Sequence, residues 1–296
     1  MHEPTERVDL RVGALVASFL PSCGMLGVSL RCDDREFVAL PRSLADFGAG
    51  HPTGVPLLYP WANRLRSHTY RVGARSVDLH DLGVATDANG LPIHGVHLDR
   101  SFAVVELDDA RVVASHDAAA EPDLLAAYPF PHVLTVECTL DADTLTVHTT
   151  VDNTGDTALP IAFGWHPFFT LPGTPREQWR LRTPPCEHHV CDLRLLPTGT
   201  TTPQPALDAP IGTRTYDDHY RLGTDRTFVI ADDRHTITLQ CGEHYPSAQI
   251  YLPSDGDFVC IEPMTGPVAA LSDGTTPMVA PGERFTATWS VTVRRT

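Results

Sequence analysis

The stretch HVLTVECTLDADTLTVHTTVDN, residues 132–153, decides the fold class. Leu134, Val136, Cys138 and Leu140 alternate with Val133, Thr135, Glu137 and Thr139. After the polar Asp141-Ala142-Asp143, the set Leu145, Val147, Thr149 and Val151 alternates with Thr144, Thr146, His148 and Thr150. A period of two sends one set to a core and the other toward water, so the stretch reads as a β-hairpin with one wet face. The C-terminus repeats the pattern, with Phe285, Ala287, Trp289, Val291 and Val293 against Thr286, Thr288, Ser290, Thr292 and Arg294. Further hairpins are expected at 226–240 around Asp232-Asp233 and at 249–261 around Pro253-Ser254-Asp255-Gly256-Asp257. The 26 prolines and 21 glycines interrupt the chain too often for long helices, and the single helix-like piece is Glu121 to Ala127. With strands throughout and no strand–helix alternation, the expected architecture is all-β: one large antiparallel sandwich domain over residues 1–296. Pro203 to Pro210 reads as a loop. Cys186-Glu187-His188-His189-Val190-Cys191 reads as a surface loop rather than a metal clip, because its Cys-x4-Cys spacing matches no common zinc pattern.

Composition removes several function classes. The 22 basic residues are all arginine, against 37 acidic residues, for a net charge of −15. With no lysine, a Schiff-base aldolase, a pyridoxal phosphate enzyme and a Walker A phosphate loop are all excluded. The acidic balance argues against nucleic acid or an anionic membrane as partner, and for a small neutral or cationic ligand. The start, Met1-His2-Glu3-Pro4-Thr5-Glu6-Arg7, lacks the basic-then-apolar pattern of a signal peptide, and no apolar window approaches the roughly 18 residues of a membrane span, so a cytoplasmic protein is expected. Seven scattered cysteines do not form a disulfide framework.

Few residues stand out as carriers of chemistry. His94, in Leu91-Pro92-Ile93-His94-Gly95, and His166, in Phe163-Gly164-Trp165-His166-Pro167-Phe168-Phe169, lie in apolar surroundings beside Gly or Pro. Each imidazole is either an acid–base group or a buried ring satisfied by a backbone carbonyl. Glu262 ends the apolar run Phe258-Val259-Cys260-Ile261 and precedes Pro263. Alternation places it on the side of Phe258 and Cys260, where it is either a general base at a sheet rim or an exposed carboxylate accepting turn hydrogen bonds. Arg64, in Tyr59-Pro60-Trp61-Ala62-Asn63-Arg64, is set for directed hydrogen bonding or for a salt bridge to a structural carboxylate. Asp217 and Asp218, within Tyr216-Asp217-Asp218-His219-Tyr220, point opposite ways on an extended chain, so one of them faces any given site. Two histidines, a carboxylate at a strand end, and Arg, Asn and Asp near aromatic rings suit acid–base chemistry on a neutral polyhydroxylated molecule.

These motifs resemble the aldose 1-epimerases, the galactose mutarotase-like proteins, from about residue 10 to the C-terminus. The likeness is carried, in the family's order, by Asn63-Arg64, His94-Gly95, His166-Pro167, Tyr216-Asp217-Asp218-His219-Tyr220 and Glu262-Pro263, with Gln249-Ile250-Tyr251 before the last. The resemblance implies the galactose mutarotase-like supersandwich, a monosaccharide substrate, no cofactor and no metal. By position it implies Glu262 as general base, His166 as general acid and His94 as a second imidazole near the sugar ring, with Asn63, Arg64, Asp217 and Gln249 on sugar hydroxyls. His94-Gly95-Val96-His97 lacks the second glycine often found there, and Tyr251-Leu252-Pro253 replaces a Tyr-Thr-Gly-Asn type of sequence; both departures bear on which sugar is taken. The alternatives are a hexose-6-phosphate 1-epimerase, for which Arg66, Arg71 and Arg75 are available in a polar loop, and a non-catalytic carbohydrate-binding protein of the same fold. A metal-dependent β-sandwich enzyme is a more distant reading.

Overall fold

A computed structural model describes residues 7–96 and 98–296; the N-terminal residues 1–6 and His97, both used in the reading above, lie outside the described residues. The diagnostic hairpin forms as expected. His132–Leu140 pairs antiparallel with Thr144–Asn153, with Leu140 opposite Leu145 and His132 opposite Asn153. Every second residue of both strands is buried and the intervening ones are half-buried. The C-terminal strand Arg284–Arg295 lies between Thr144–Asn153 and His235–Cys241, pairing with each over most of its length. The hairpin at Asp232-Asp233 joins Thr227–Ala231 to His235–Cys241, its turn closed by the Asp232 carboxylate accepting from the Arg234 and His235 amides.

These strands belong to a nine-stranded antiparallel sheet that runs from the edge strand Leu207–Pro210 to the opposite edge strand Ala103–Leu107. A second sheet runs in the order Pro197–Gln204, Cys186–Cys191, Tyr216–Leu222, Ser247–Leu252, Val259–Met264, Gly164–Trp165, Leu57–Leu58. The inner faces of the two sheets meet in one apolar cluster reaching from Val8 to Val293. A clamp crosses that interface: Trp165 Nε1 donates to Thr149 Oγ1 at 3.0 Å, which explains why a threonine occupies a core position of the hairpin. A smaller sheet of Val8–Val12, Leu15–Leu20, Leu26–Cys32 and Arg35–Glu36 adds its apolar residues to the same cluster.

Several local expectations are corrected. Cys186–Cys191 is a strand paired on both sides, not a surface loop, because backbone pairing with Pro197–Gln204 and Tyr216–Leu222 outweighs its polar composition. Pro203 to Pro210 holds the end of one strand and the whole of Leu207–Pro210, where proline is tolerated because this strand is a sheet edge. Arg71 and Arg75 sit on a small hairpin, Thr69–Val72 with Arg75–Asp78, rather than in a loop. The helix at Pro122–Ala127 has proline in its first turn, but it is joined by two shorter helices, Leu44–Gly48 and Ala270–Asp273. The first of these is announced by a capping box, Ser43 with Asp46, that the strand-dominated reading passed over.

Candidate active site

Strand order gathers residues that are distant in the chain. In the second sheet Ile250, Leu252, Val259 and Ile261 face the shared core, so the intervening Gln249, Tyr251, Cys260 and Glu262 lie on the outer face. Gln249 is opposite Glu262, and Asp217 is opposite Tyr251, one diagonal step from Gln249. His166 follows Gly164–Trp165, and its backbone N–H donates to Pro56 O. Asn63 and His94 come from two segments laid side by side, with the His94 amide donating to Asn63 O at 3.0 Å and the Val96 amide to Tyr59 O at 2.9 Å. Both residues hold left-handed backbone, φ 54° and 65°. That conformation is uncommon outside glycine, and asparagine and histidine are among the residues that adopt it most readily. Gly95 has a plainer reason: a Cβ there would lie 2.0 Å from Tyr59 O.

All seven candidate residues, Asn63, Arg64, His94, His166, Asp217, Gln249 and Glu262, line one cavity of about 510 Å³. His166 Nε2 lies 3.3 Å from Glu262 Oε1, and the His94 and His166 rings meet edge to face at 5.4 Å. Arg64 has both of the roles considered for it. Its Nε donates to Asp87 Oδ2 at 2.7 Å and its Nη1 to Asn63 Oδ1 at 3.0 Å, while Nη2 approaches Asp217 Oδ2 at 3.9 Å. Asp217 is the carboxylate that faces the cavity and accepts from Gln249 Nε2 at 2.7 Å; Asp218 points away and pairs with His188 at 2.9 Å. Arg66 is tied to Asp273, and neither it nor Arg71 nor Arg75 lines the cavity.

The sequence reading missed six contributors. Asp87 holds Arg64 and is itself held by the Asn89 and Leu91 amides; the turn-forming Asp87-Ala88-Asn89-Gly90 was the available signal. Phe168, Tyr251 and Phe258 form an aromatic wall, with the Phe168 ring stacked on His166 at 4.6 Å and 10°. All three lie inside stretches quoted above for the polar residues beside them. Arg42 and Asp255 also line the cavity.

Burial dominates the electrostatics. Glu262 is 1% exposed, and burial, reinforced by the Asp217 charge and only partly opposed by Arg64, raises its pKa well above the usual carboxylate range. Burial takes His166 down to about 3, and takes His94 well below the ordinary histidine value with help from His166 and Arg64. The favoured state of the Glu262–His166 pair is therefore an uncharged one holding a single proton. Glu262 Oε2, Gln249 Oε1 and the Nδ1 atoms of both histidines are buried without a hydrogen-bond partner. Buried polar atoms that converge on one cavity mark a place built for a polar ligand. Among the described residues, no three His, Cys, Asp or Glu side chains come together as a metal-binding group, and no helix is long and apolar enough to cross a membrane.

Known proteins share this arrangement of strands. A galactose mutarotase-like protein from Clostridium acetobutylicum superposes with a TM-score of 0.84 at 18% identity, covering 100% of this chain and 98% of its own. An aldose epimerase homologue from C. elegans gives 0.79 at 15% identity over 98% and 99% of the two chains. A galactose 1-epimerase from Lactobacillus acidophilus NCFM gives 0.77 at 15% over 100% and 97%. At such identities the likeness is one of fold. The sequence model of the family described as aldose 1-epimerase matches residues 25–292, which spans every residue of the cavity, and the chain belongs to that family of sugar isomerases.

Proposed function

We propose that the protein interconverts the α and β anomers of a free aldose by opening and reclosing the pyranose ring. The observation that carries this reading is the buried contact between His166 and Glu262 in a cavity large enough for a sugar. Glu262 takes the proton from the C1 hydroxyl as His166 gives one to the ring oxygen; the C1–ring oxygen bond breaks and an aldehyde forms. Rotation about C1–C2 followed by the reverse transfers closes the ring on the other carbonyl face. The carboxylate–imidazolium form needed at the outset is the proton-transfer tautomer of the uncharged pair, so it requires no proton from solvent. Sugar hydroxyls and the nearby Arg64 guanidinium favour that charge-separated form when substrate binds. His94, Asn63, Arg64, Asp217 and Gln249 hold the ring and its hydroxyls, and the aromatic wall of Phe168, Tyr251 and Phe258 covers apolar C–H faces. No step calls for a cofactor.

A second reading has one observation in its favour. Arg42 lines the cavity, where a cation would suit a phosphorylated hexose, although Arg66, Arg71 and Arg75 lie elsewhere. Polarimetry on freshly dissolved α-glucose and α-galactose, set against their 6-phosphates, tests both. Faster approach to anomeric equilibrium with the free sugars, unchanged by Arg42→Ala, supports the first reading. Activity confined to the phosphates and lost in Arg42→Ala overturns it for the second, and saturable calorimetric binding of sugar without turnover overturns both.

A further inference from the structure

Gln249 has one end of its carboxamide accounted for and the other not. Nε2 donates to Asp217 Oδ1 at 2.7 Å, whereas the buried Oε1 has no hydrogen-bond partner. The strand ladder gives it two neighbours. Gln249 is opposite Glu262 on one side and His219 on the other, and directly opposed residues share a face. Extending the pairing of His188 with Tyr220 by one residue brings His189 beside His219, and these two rings lie 4.7 Å apart. Glu262, Gln249, His219 and His189 thus form one polar row across four strands, leading from the cavity to a half-buried histidine.

His219 is 2% exposed, and neither of its ring nitrogens reaches a partner at hydrogen-bonding geometry. The Gln249 amide is the neighbour that acts on it to favour its proton, against the burial that takes its pKa down to about 3. His189 is also lowered, chiefly by burial. Both rings are therefore neutral near pH 7, each with one donor and one acceptor. That fixes a direction along the row. Gln249 Nε2 carries two N–H groups, one of them spent on Asp217, and Oε1 is the end of the carboxamide left without a partner; turned to His219, that oxygen accepts and requires a ring N–H. The far nitrogen of His219 is then an acceptor, to be met by an N–H of His189.

We propose that His219 is a positioning residue: its ring N–H holds Gln249 Oε1, and so keeps the Gln249 N–H on the Asp217 carboxylate, with His189 completing the row behind it. Without that donor the carboxamide is free to flip, and its oxygen then faces the Asp217 carboxylate and displaces it from the sugar hydroxyl it holds. This rests on the reading that Asp217 and Gln249 bind sugar.

The test is His219→Phe, which keeps a buried ring and removes the N–H, with His219→Asn and His219→Gln as variants that carry an N–H near the Nδ1 or Nε2 position. Thermal melting checks that each variant folds. Loss of one hydrogen bond along a charge-linked row is expected to raise KM for the aldose about tenfold while leaving kcat within about twofold, and one of the two amide variants should restore KM. An unchanged KM in folded His219→Phe overturns the proposal, as does a loss that neither amide variant rescues. A second measurement is independent of turnover. In the ¹⁵N-labelled wild type, His219 should show one fixed neutral tautomer from about pH 5 to 8, with one ring N–H protected from exchange. A ring averaging between tautomers overturns the proposal. If the wild type turns over no aldose, the proposed reaction fails by itself and the NMR measurement alone decides the role of His219.

Discussion

The two large sheets differ in what they bury. In the nine-stranded sheet the core face of the central hairpin is apolar apart from Thr149, with Leu134, Val136, Cys138, Val147 and Val151 all nearly inaccessible. Its polar residues pair across strands on the outer face: Thr144 with Thr292 and Thr150 with Thr286 at 2.9 Å, and His148 with Thr288 at 2.8 Å. The sheet that carries the site also packs apolar residues of its inner face into the core, but it buries part of its outer face too, and there it places Glu262, Gln249 and His219 within a few per cent of full burial. One sheet uses burial to hold the fold together. The other holds titratable groups out of water, against their own solvation, where acid–base and hydrogen-bonding chemistry is strengthened.

Substitutions that separate these two uses should give opposite signatures. The largest effect is expected at the site: Glu262→Gln and His166→Asn should each slow anomerisation by about 10²–10⁴-fold, read by polarimetry, with cooperative melting retained. Near-normal rates in both would remove the functional side of the contrast. Next comes Leu134→Ala in the hairpin core, expected to destabilise by about 2–5 kcal/mol in denaturant titration while KM for the sugar stays unchanged.

A smaller effect follows from the buried carboxyl. The pKa of Glu262 is higher in the folded protein than in the unfolded chain, so the folded state holds the extra proton between the two values. Its contribution to stability is complete below the unfolded pKa and is lost as pH rises through the folded one. Glu262→Gln should therefore melt higher than wild type at neutral and alkaline pH, by about 2–4 °C for each kcal/mol gained, with the gap closing below about pH 4. A gap independent of pH would show that the carboxyl is not the source. The smallest effect is on the outer face of the nine-stranded sheet, where Thr150→Ala should cost about 0.2–1 kcal/mol and leave activity untouched.

Legibility followed the same division. The hairpin at 132–153 could be read residue by residue because a sheet with one polar face writes a period of two into the sequence. Cys186–Cys191 and Leu207–Pro210 could not, because half-exposed strands with mixed composition owe their form to backbone pairing with distant neighbours. Glu262 and His166 stood out because a charged or titratable residue inside an apolar run is conspicuous. Asp87 did not, since its carboxylate looks like any turn aspartate until Arg64 is seen to lie against it.

Alternation and the frequency of proline and glycine suffice to set the fold class, and composition alone excludes lysine chemistry. The sequence and its family likeness also nominate seven of the residues that line the cavity. That they share one cavity, that Asp217 and not Asp218 faces it, and that Gln249 stands between Glu262 and His219 emerges with the folded chain. Those facts depend on strand order and register, which are set by pairings between segments tens to hundreds of residues apart, and a local pattern carries no record of which strand will lie beside it.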